Sequence, residues 1–169
     1  MNIISGRFKG YKINTSFNSN YRPTKSMVRK SLFDKLKLLQ NKKVLDLFSG
    51  TGVMGFEASS RGSDSIIFVE NNRNAIKLLK NNIKKFSEAN YEIYNMDCFE
   101  FLKKPFYFDL IFADPPYGVY DLKSLTKLVL NRLNFNGIFI LECDKRVEPF
   151  FDAIVSNYGR TRLLSWEKK

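Results

Sequence analysis

The sequence predicts an α/β protein built on a doubly wound, mostly parallel seven-stranded sheet, and three patterns predict it. From Lys42 onward, short and nearly continuous apolar runs alternate with amphipathic helical stretches. A Gly-x-Gly-x-x-Gly frame, Gly50 to Gly55, follows the first of those runs and opens a helix. The closing segment "FFDAIVSNYGRTRLLSW" divides into two strand-like runs about Tyr158-Gly159, an antiparallel pair for one sheet edge.

The five parallel strands are "KKVLDLF" (42–48), "SIIFVE" (65–70), "YEIYN" (91–95), "FDLIFAD" (108–114) and "GIFILEC" (137–143). Their β-branched and aromatic content, with little polar alternation, suits strands covered on both faces. Between them, "NRNAIKLLKNNIKKFSEA" (72–89) places Ile76, Leu79, Ile83 and Phe86 at helical spacing, with its lysines largely elsewhere on the wheel. In "DLKSLTKLVLNRL" (121–133) the stripe is Leu122, Leu125, Val129 and Leu133. Ahead of the sheet, "IISGRFKGYKI" (3–13) has the form of a Gly-turned hairpin. It is followed by "YRPT" (21–24) and a basic amphipathic helix, "KSMVRKSLFDKLKLL" (25–39), that buries Val28, Leu32, Leu36 and Leu39.

At 169 residues one core is expected. We take 1–169 as a single domain, with 1–40 an arm packed on a core of 41–169. No run approaches the roughly 18 apolar residues of a membrane span, and "MNIISGRFKG" lacks an apolar signal core, so a cytoplasmic protein is expected. Nothing suggests an obligate dimer seam, and a monomer is expected. Lys and Arg number 28 against 17 Asp and Glu, a net charge of +11 that favours a polyanionic partner. Histidine is absent and the cysteines are Cys98 and Cys143, which removes His-based triads and the usual Cys/His zinc sites; no metal is expected.

The glycine frame suits several nucleotide-like ligands, and charge separates them. Asp46, four positions before Gly50, would confront a dinucleotide's pyrophosphate with like charge. A sulfonium and an ammonium favour it instead: two unit charges about 4 Å apart interact by roughly 4 kcal/mol at an effective dielectric of about 20, before desolvation. S-adenosylmethionine is therefore the expected cofactor. Gly50 and Gly52 let the backbone turn sharply beside it, with Phe48 and Asn71 among the lining residues. Glu70, at the next strand end, is placed to accept both ribose hydroxyls; a helix cap is its competing role. Asp97, at the third strand end, is placed to accept from the adenine amino group, with the Cys98 backbone N–H meeting a ring nitrogen.

At the fourth strand end stands Asp114-Pro115-Pro116-Tyr117. The paired prolines fix two φ angles and remove two donors, leaving carbonyl acceptors in a rigid turn. Acceptors select a donor such as a nucleobase amino group. The Asp114 carboxylate and Pro115 carbonyl can orient it while Tyr117 stacks on the base, which must be single-stranded or flipped out. Direct methyl transfer to nitrogen is the expected chemistry, with S-adenosylhomocysteine as product.

Taken together, "ISGRFKG", "YRPT.SMVRKSLFDKL", "DLFSGTG", Glu70 and "DPPY" resemble the bacterial 16S ribosomal RNA guanine-N2 methyltransferases, from Ile3 to about Glu167. The N-terminal blocks are the discriminating part, since the glycine and proline motifs occur in many amino-methyltransferases. The resemblance implies a Rossmann-like class I methyltransferase fold and 16S rRNA in an assembled or assembling small subunit as substrate. It also implies that Arg22 and Thr24 lie in a segment closing over the cofactor's methionyl end. Arg7, Lys9, Arg22, Lys25 and Arg29, with Phe8 and Tyr11 interleaved, form the expected RNA-contacting surface. The competing readings are an adenine-N6 methyltransferase acting on RNA or DNA, a nicotinamide oxidoreductase, and an RNA-binding module without catalysis.

Overall fold

The computed structural model describes residues 1–15, 26–36, 39–86 and 89–169. In chain order the elements are α1 (Ser26–Lys35), β1 (Lys43–Leu47), α2 (Val53–Ser60), β2 (Ser65–Glu70), α3 (Arg73–Ile83), β3 (Asn90–Asn95), α4 (Cys98–Leu102), β4 (Phe108–Ala113), α5 (Leu122–Leu130), β5 (Leu133–Asp144), β6 (Ile154–Tyr158) and β7 (Thr161–Glu167). The strands form one sheet in the order β3-β2-β1-β4-β5-β7-β6. The first five run parallel, and β7 pairs antiparallel with both β5 and β6. Strand order reverses between β1 and β4, which opens a crevice beyond their C-terminal ends.

The pleat sorts side chains into two cores. Val44, Leu110, Phe112 and Ile140 face α1, α2 and the N-terminal arm, whereas Leu45, Leu47, Ile111 and Leu141 face α4 and α5. Three elements depart from the sequence expectation. The edge strand β3 is not covered on both faces; its residues alternate between exposed and half-buried. Leu133 continues the apolar spacing of α5 but belongs to β5, because the helix ends at Leu130 and Leu133 pairs with Phe108. The N-terminal hairpin is reduced to one antiparallel bridge, Asn2 to Lys12, flanked by Ile3 N–H to Tyr11 O at 3.0 Å.

The arm is fixed by a carboxylate the sequence hides inside α2. Glu57 is fully buried and accepts from Ile4 N–H at 2.9 Å, Ser5 N–H at 3.2 Å and Arg61 Nε at 3.0 Å. Arg29 Nε of α1 stands 3.5 Å from the same carboxylate. Gly6, at φ +85°, completes the docking: a Cβ there would lie 1.8 Å from the Ser60 carbonyl oxygen, so only glycine fits.

Arg29 therefore leaves the expected RNA surface. It is 1% exposed and donates to the Asn2 carbonyl at 2.6 Å. The inner face of α1 is wider than the expected stripe: Arg29 and Phe33 are buried beside Val28 and Leu32, and Leu36 packs partly buried against the same core. Phe8 is likewise buried, edge-on to Phe86 at 5.1 Å, and presents no face to a base.

Candidate active site

The β1–α2 loop turns on backbone conformations few residues tolerate: Phe48 at φ 56°, Gly50 at 53° and Gly52 at 80°. Gly52 has a second constraint, since a Cβ would come within 2.4 Å of Leu79 Cδ1 and 2.7 Å of Phe56 Cε2. Its lack of a side chain serves the packing of α3 against α2 as much as an approach to ligand. The Ser49 and Thr51 hydroxyls in this loop are buried and have no hydrogen-bond partner among the described residues.

Glu70 closes the loop. Its Oε2 accepts from Gly50 N–H at 2.8 Å, while Oε1 accepts from Asn71 N–H at 2.9 Å and Asn72 N–H at 2.8 Å. A carboxylate has about four acceptor positions, so the three backbone donors leave about one position for a further donor. The helix cap itself is Asn72, whose side chain accepts from Asn74 and Ala75 N–H. Asp97 likewise caps α4, accepting from Phe99 N–H at 2.7 Å. Burial, then the neighbouring Asp97 charge, pushes the Cys98 thiol up to about 12, so its sulfur is no nucleophile at neutral pH.

Aromatic side chains gather beside these strand ends. Tyr120 meets the Phe48 ring edge-on at 4.9 Å and stacks near Phe99 at 6.0 Å, and its hydroxyl lies near Asn71. Tyr120 and Phe99 are not among the residues expected from the sequence. The signal was present in "DPPYGVY", where a second tyrosine follows the proline turn.

On the opposite side of β1 the carboxylates crowd. Asp46 on β1, Asp114 just past β4 and Glu142 on β5 fall on one face of three adjacent strands. Together with Leu32, Met54 and Leu163 they line a cavity of about 20 Å³. Asp46 is 3% exposed and accepts from Gly55 N–H at 3.0 Å. Burial raises its pKa to about 8 against the pull of that hydrogen bond, and Glu70 adds repulsion. Asp114 is raised well above the carboxylate range by burial first, then by Glu142 and Asp46. Glu142 was the other residue missed, an acid ending the apolar run "GIFILE" in step with Ile138 and Ile140.

Pro115 is buried and Pro116 exposed, and the Pro116 carbonyl accepts from Val119 N–H at 3.3 Å to close the turn. Tyr117 is 54% exposed and its hydroxyl lies near Thr161, the first residue of β7. The structure thus gathers Asp46, Phe48, Gly50, Gly52, Glu70, Asn71, Asp97, Cys98 and the Asp114–Tyr117 turn along the C-terminal edge of the sheet. Arg7 and Lys9 are not gathered there. Arg7 binds the Ser60 and Ser63 carbonyls where α2 descends to the start of β2, the opposite edge. Arg22, Thr24 and Lys25 lie outside the described residues.

Fold and site together define a class I, Rossmann-like methyltransferase architecture. The model of the family described as "Conserved hypothetical protein 95" matches residues 1–161. A Buchnera aphidicola protein named ribosomal RNA small subunit methyltransferase D is 36% identical over 151 residues, spanning 85% of this chain and 78% of that one. The Escherichia coli protein of the same name is 30% identical over 166 residues, spanning 95% and 82%. Among solved structures, the Escherichia coli protein yhhF superposes with a TM-score of 0.88 at 23% identity, over 100% of this chain and 98% of that one. The chain belongs to the family of the ribosomal RNA small subunit methyltransferases D.

Proposed function

We propose that this protein, acting as a cytoplasmic monomer with one catalytic domain, methylates the exocyclic N2 amino group of a guanine in 16S rRNA within the small ribosomal subunit, using S-adenosylmethionine. The observation that carries the reading is the row of carboxylates along the sheet's C-terminal edge, adjoining the proline turn. A cation relieves Asp46 and Asp114, two acids that burial and neighbouring carboxylates push toward their neutral forms; a pyrophosphate would worsen the crowding. The names of the relatives support the substrate class.

When bound, S-adenosylmethionine supplies a methyl group on a positively charged sulfur and leaves as S-adenosylhomocysteine. The unpartnered Ser49 and Thr51 hydroxyls and the last acceptor position of Glu70 fit its polar groups, and Tyr120, Phe48 and Phe99 fit the adenine face. On the substrate side, Tyr117 covers the base while the Pro115 carbonyl and Asp114 accept from its amino group, holding the nitrogen in line. The nitrogen sheds one proton for each methyl it gains. Asp114, sharing its enclosure with Glu142, is the group positioned to hold that proton.

The test is chemical identification of the product. Small subunits from cells lacking this protein, incubated with it and isotopically methylated cofactor, are digested to nucleosides for mass spectrometry. N2-Methylguanosine is expected; N6-methyladenosine would establish the rival adenine activity.

A further inference from the structure

Basic residues also stand at the C-terminal edge of the sheet, apart from those of the N-terminal arm. Lys145 and Arg146 follow β5 immediately, and Arg160 sits in the β6–β7 turn; all three are exposed. Lys145 N–H donates to the Arg160 carbonyl at 3.0 Å, joining the two turns. Arg146 grips Asp144 with two bonds, Nε to Oδ1 at 2.9 Å and Nη2 to Oδ2 at 3.0 Å. Asp144 is paired in register with Thr161, which follows Arg160 and lies near the Tyr117 hydroxyl. Arg162 braces the corner from beneath, donating to the Val147 carbonyl and, at 3.0 Å, to Asn157 Oδ1.

We propose that this corner, with Lys145, Arg146 and Arg160 as its contacts, is the surface that grips the RNA phosphates flanking the target nucleotide. The inference rests on the rRNA reading above and adds to it the place where the strand is held. A base extruded onto Tyr117 brings its own and its neighbours' phosphates past the adjoining sheet edge, and that edge carries three cations on hydrogen-bonded turns. Contacts of this kind fix position and register without reading sequence. The arm's Arg7 and Lys9 stand one strand length away: β4 has six residues, about 20 Å at roughly 3.3 Å per residue.

The experiment measures binding of small subunits, from cells lacking this protein, to the cofactor-loaded enzyme as a function of salt. Methyl transfer is read separately. Lys145→Ala/Arg160→Ala should reduce the slope of log affinity against log salt by about 1.4, at about 0.7 per single-strand phosphate contact. It should raise KM for subunits and leave kcat at saturation and S-adenosylhomocysteine affinity unchanged. The charge-reversed pair, Lys145→Glu/Arg160→Glu, should weaken binding further, and Arg7→Ala/Lys9→Ala should keep the parent slope. A wild-type slope in both Lys145/Arg160 pairs overturns this surface. Subunits that bind with the expected slopes but gain no methyl group overturn the rRNA reading and leave the surface standing; no binding by wild type overturns both.

Discussion

Asp114→Asn is expected to slow methyl transfer about a thousandfold at saturating substrate, in the range seen when a positioned proton acceptor or a preorganised polar group is removed. Asparagine keeps the shape and one acceptor oxygen, so the amino group can still be oriented, but it cannot take the proton. The variant should fold well. Asp114 is already driven toward its neutral form by burial and by Glu142 and Asp46, so a neutral amide removes repulsion, and thermal stability should hold or rise. The pH–rate profile supplies the second readout. In wild type the rate should rise with pH as the carboxylate group ionises, an apparent pKa belonging to Asp114, Glu142 and Asp46 together. In Asp114→Asn that limb should shrink. A near-normal rate with a flat profile would remove Asp114 from proton transfer.

Glu57→Ala should have the largest effect on stability, about 3–5 kcal/mol, the range for removing one partner of a buried ion pair. The change strips the acceptor from Ile4 and Ser5 N–H and leaves Arg29, 1% exposed, without its counter-charge. At roughly 2–4 °C per kcal/mol for a chain of this size, the melting temperature should fall by about 6–20 °C. Glu57→Gln, which keeps the shape and one acceptor oxygen but loses the charge and the second acceptor, should fall in between. A loss below about 1 kcal/mol for Glu57→Ala would mean that the arm is held by its apolar contacts alone.

These two sites show what a linear sequence discloses. Asp46, Glu70, Asp97 and Asp114 could be placed together because each lies at or near the C-terminal end of an apolar run, and parallel strands bring such ends to one edge whatever their order. Arg29 was misread because "VRKSLFDK" scatters cations on most of the wheel, and its partner Glu57 lies in a different element. Sequence periodicity finds the side of a helix that is apolar; it does not find a buried charge matched by a distant one. Glu142 was passed over for a related reason. A single acid in an apolar strand gains meaning only once strand order sets β5 beside β4. Leu133 shows the converse error, an apolar spacing that outlasts the helix because the next strand begins on the same core.

The most direct test of the central claim, that the acidic edge is built for a cationic donor, is calorimetric titration with S-adenosylmethionine near pH 7 in buffers of different ionisation enthalpy. Burial and Glu70 keep Asp46 protonated up to about 8, against an ordinary value of 3.8. The stability of the ligand-free protein therefore declines as pH climbs between those values, because the unfolded chain ionises first. A bound cation favours the carboxylate, so binding should expel protons into the buffer, and Asp46→Asn should reduce the number released. Binding without proton release, or preferential binding of NADH, would contradict the account.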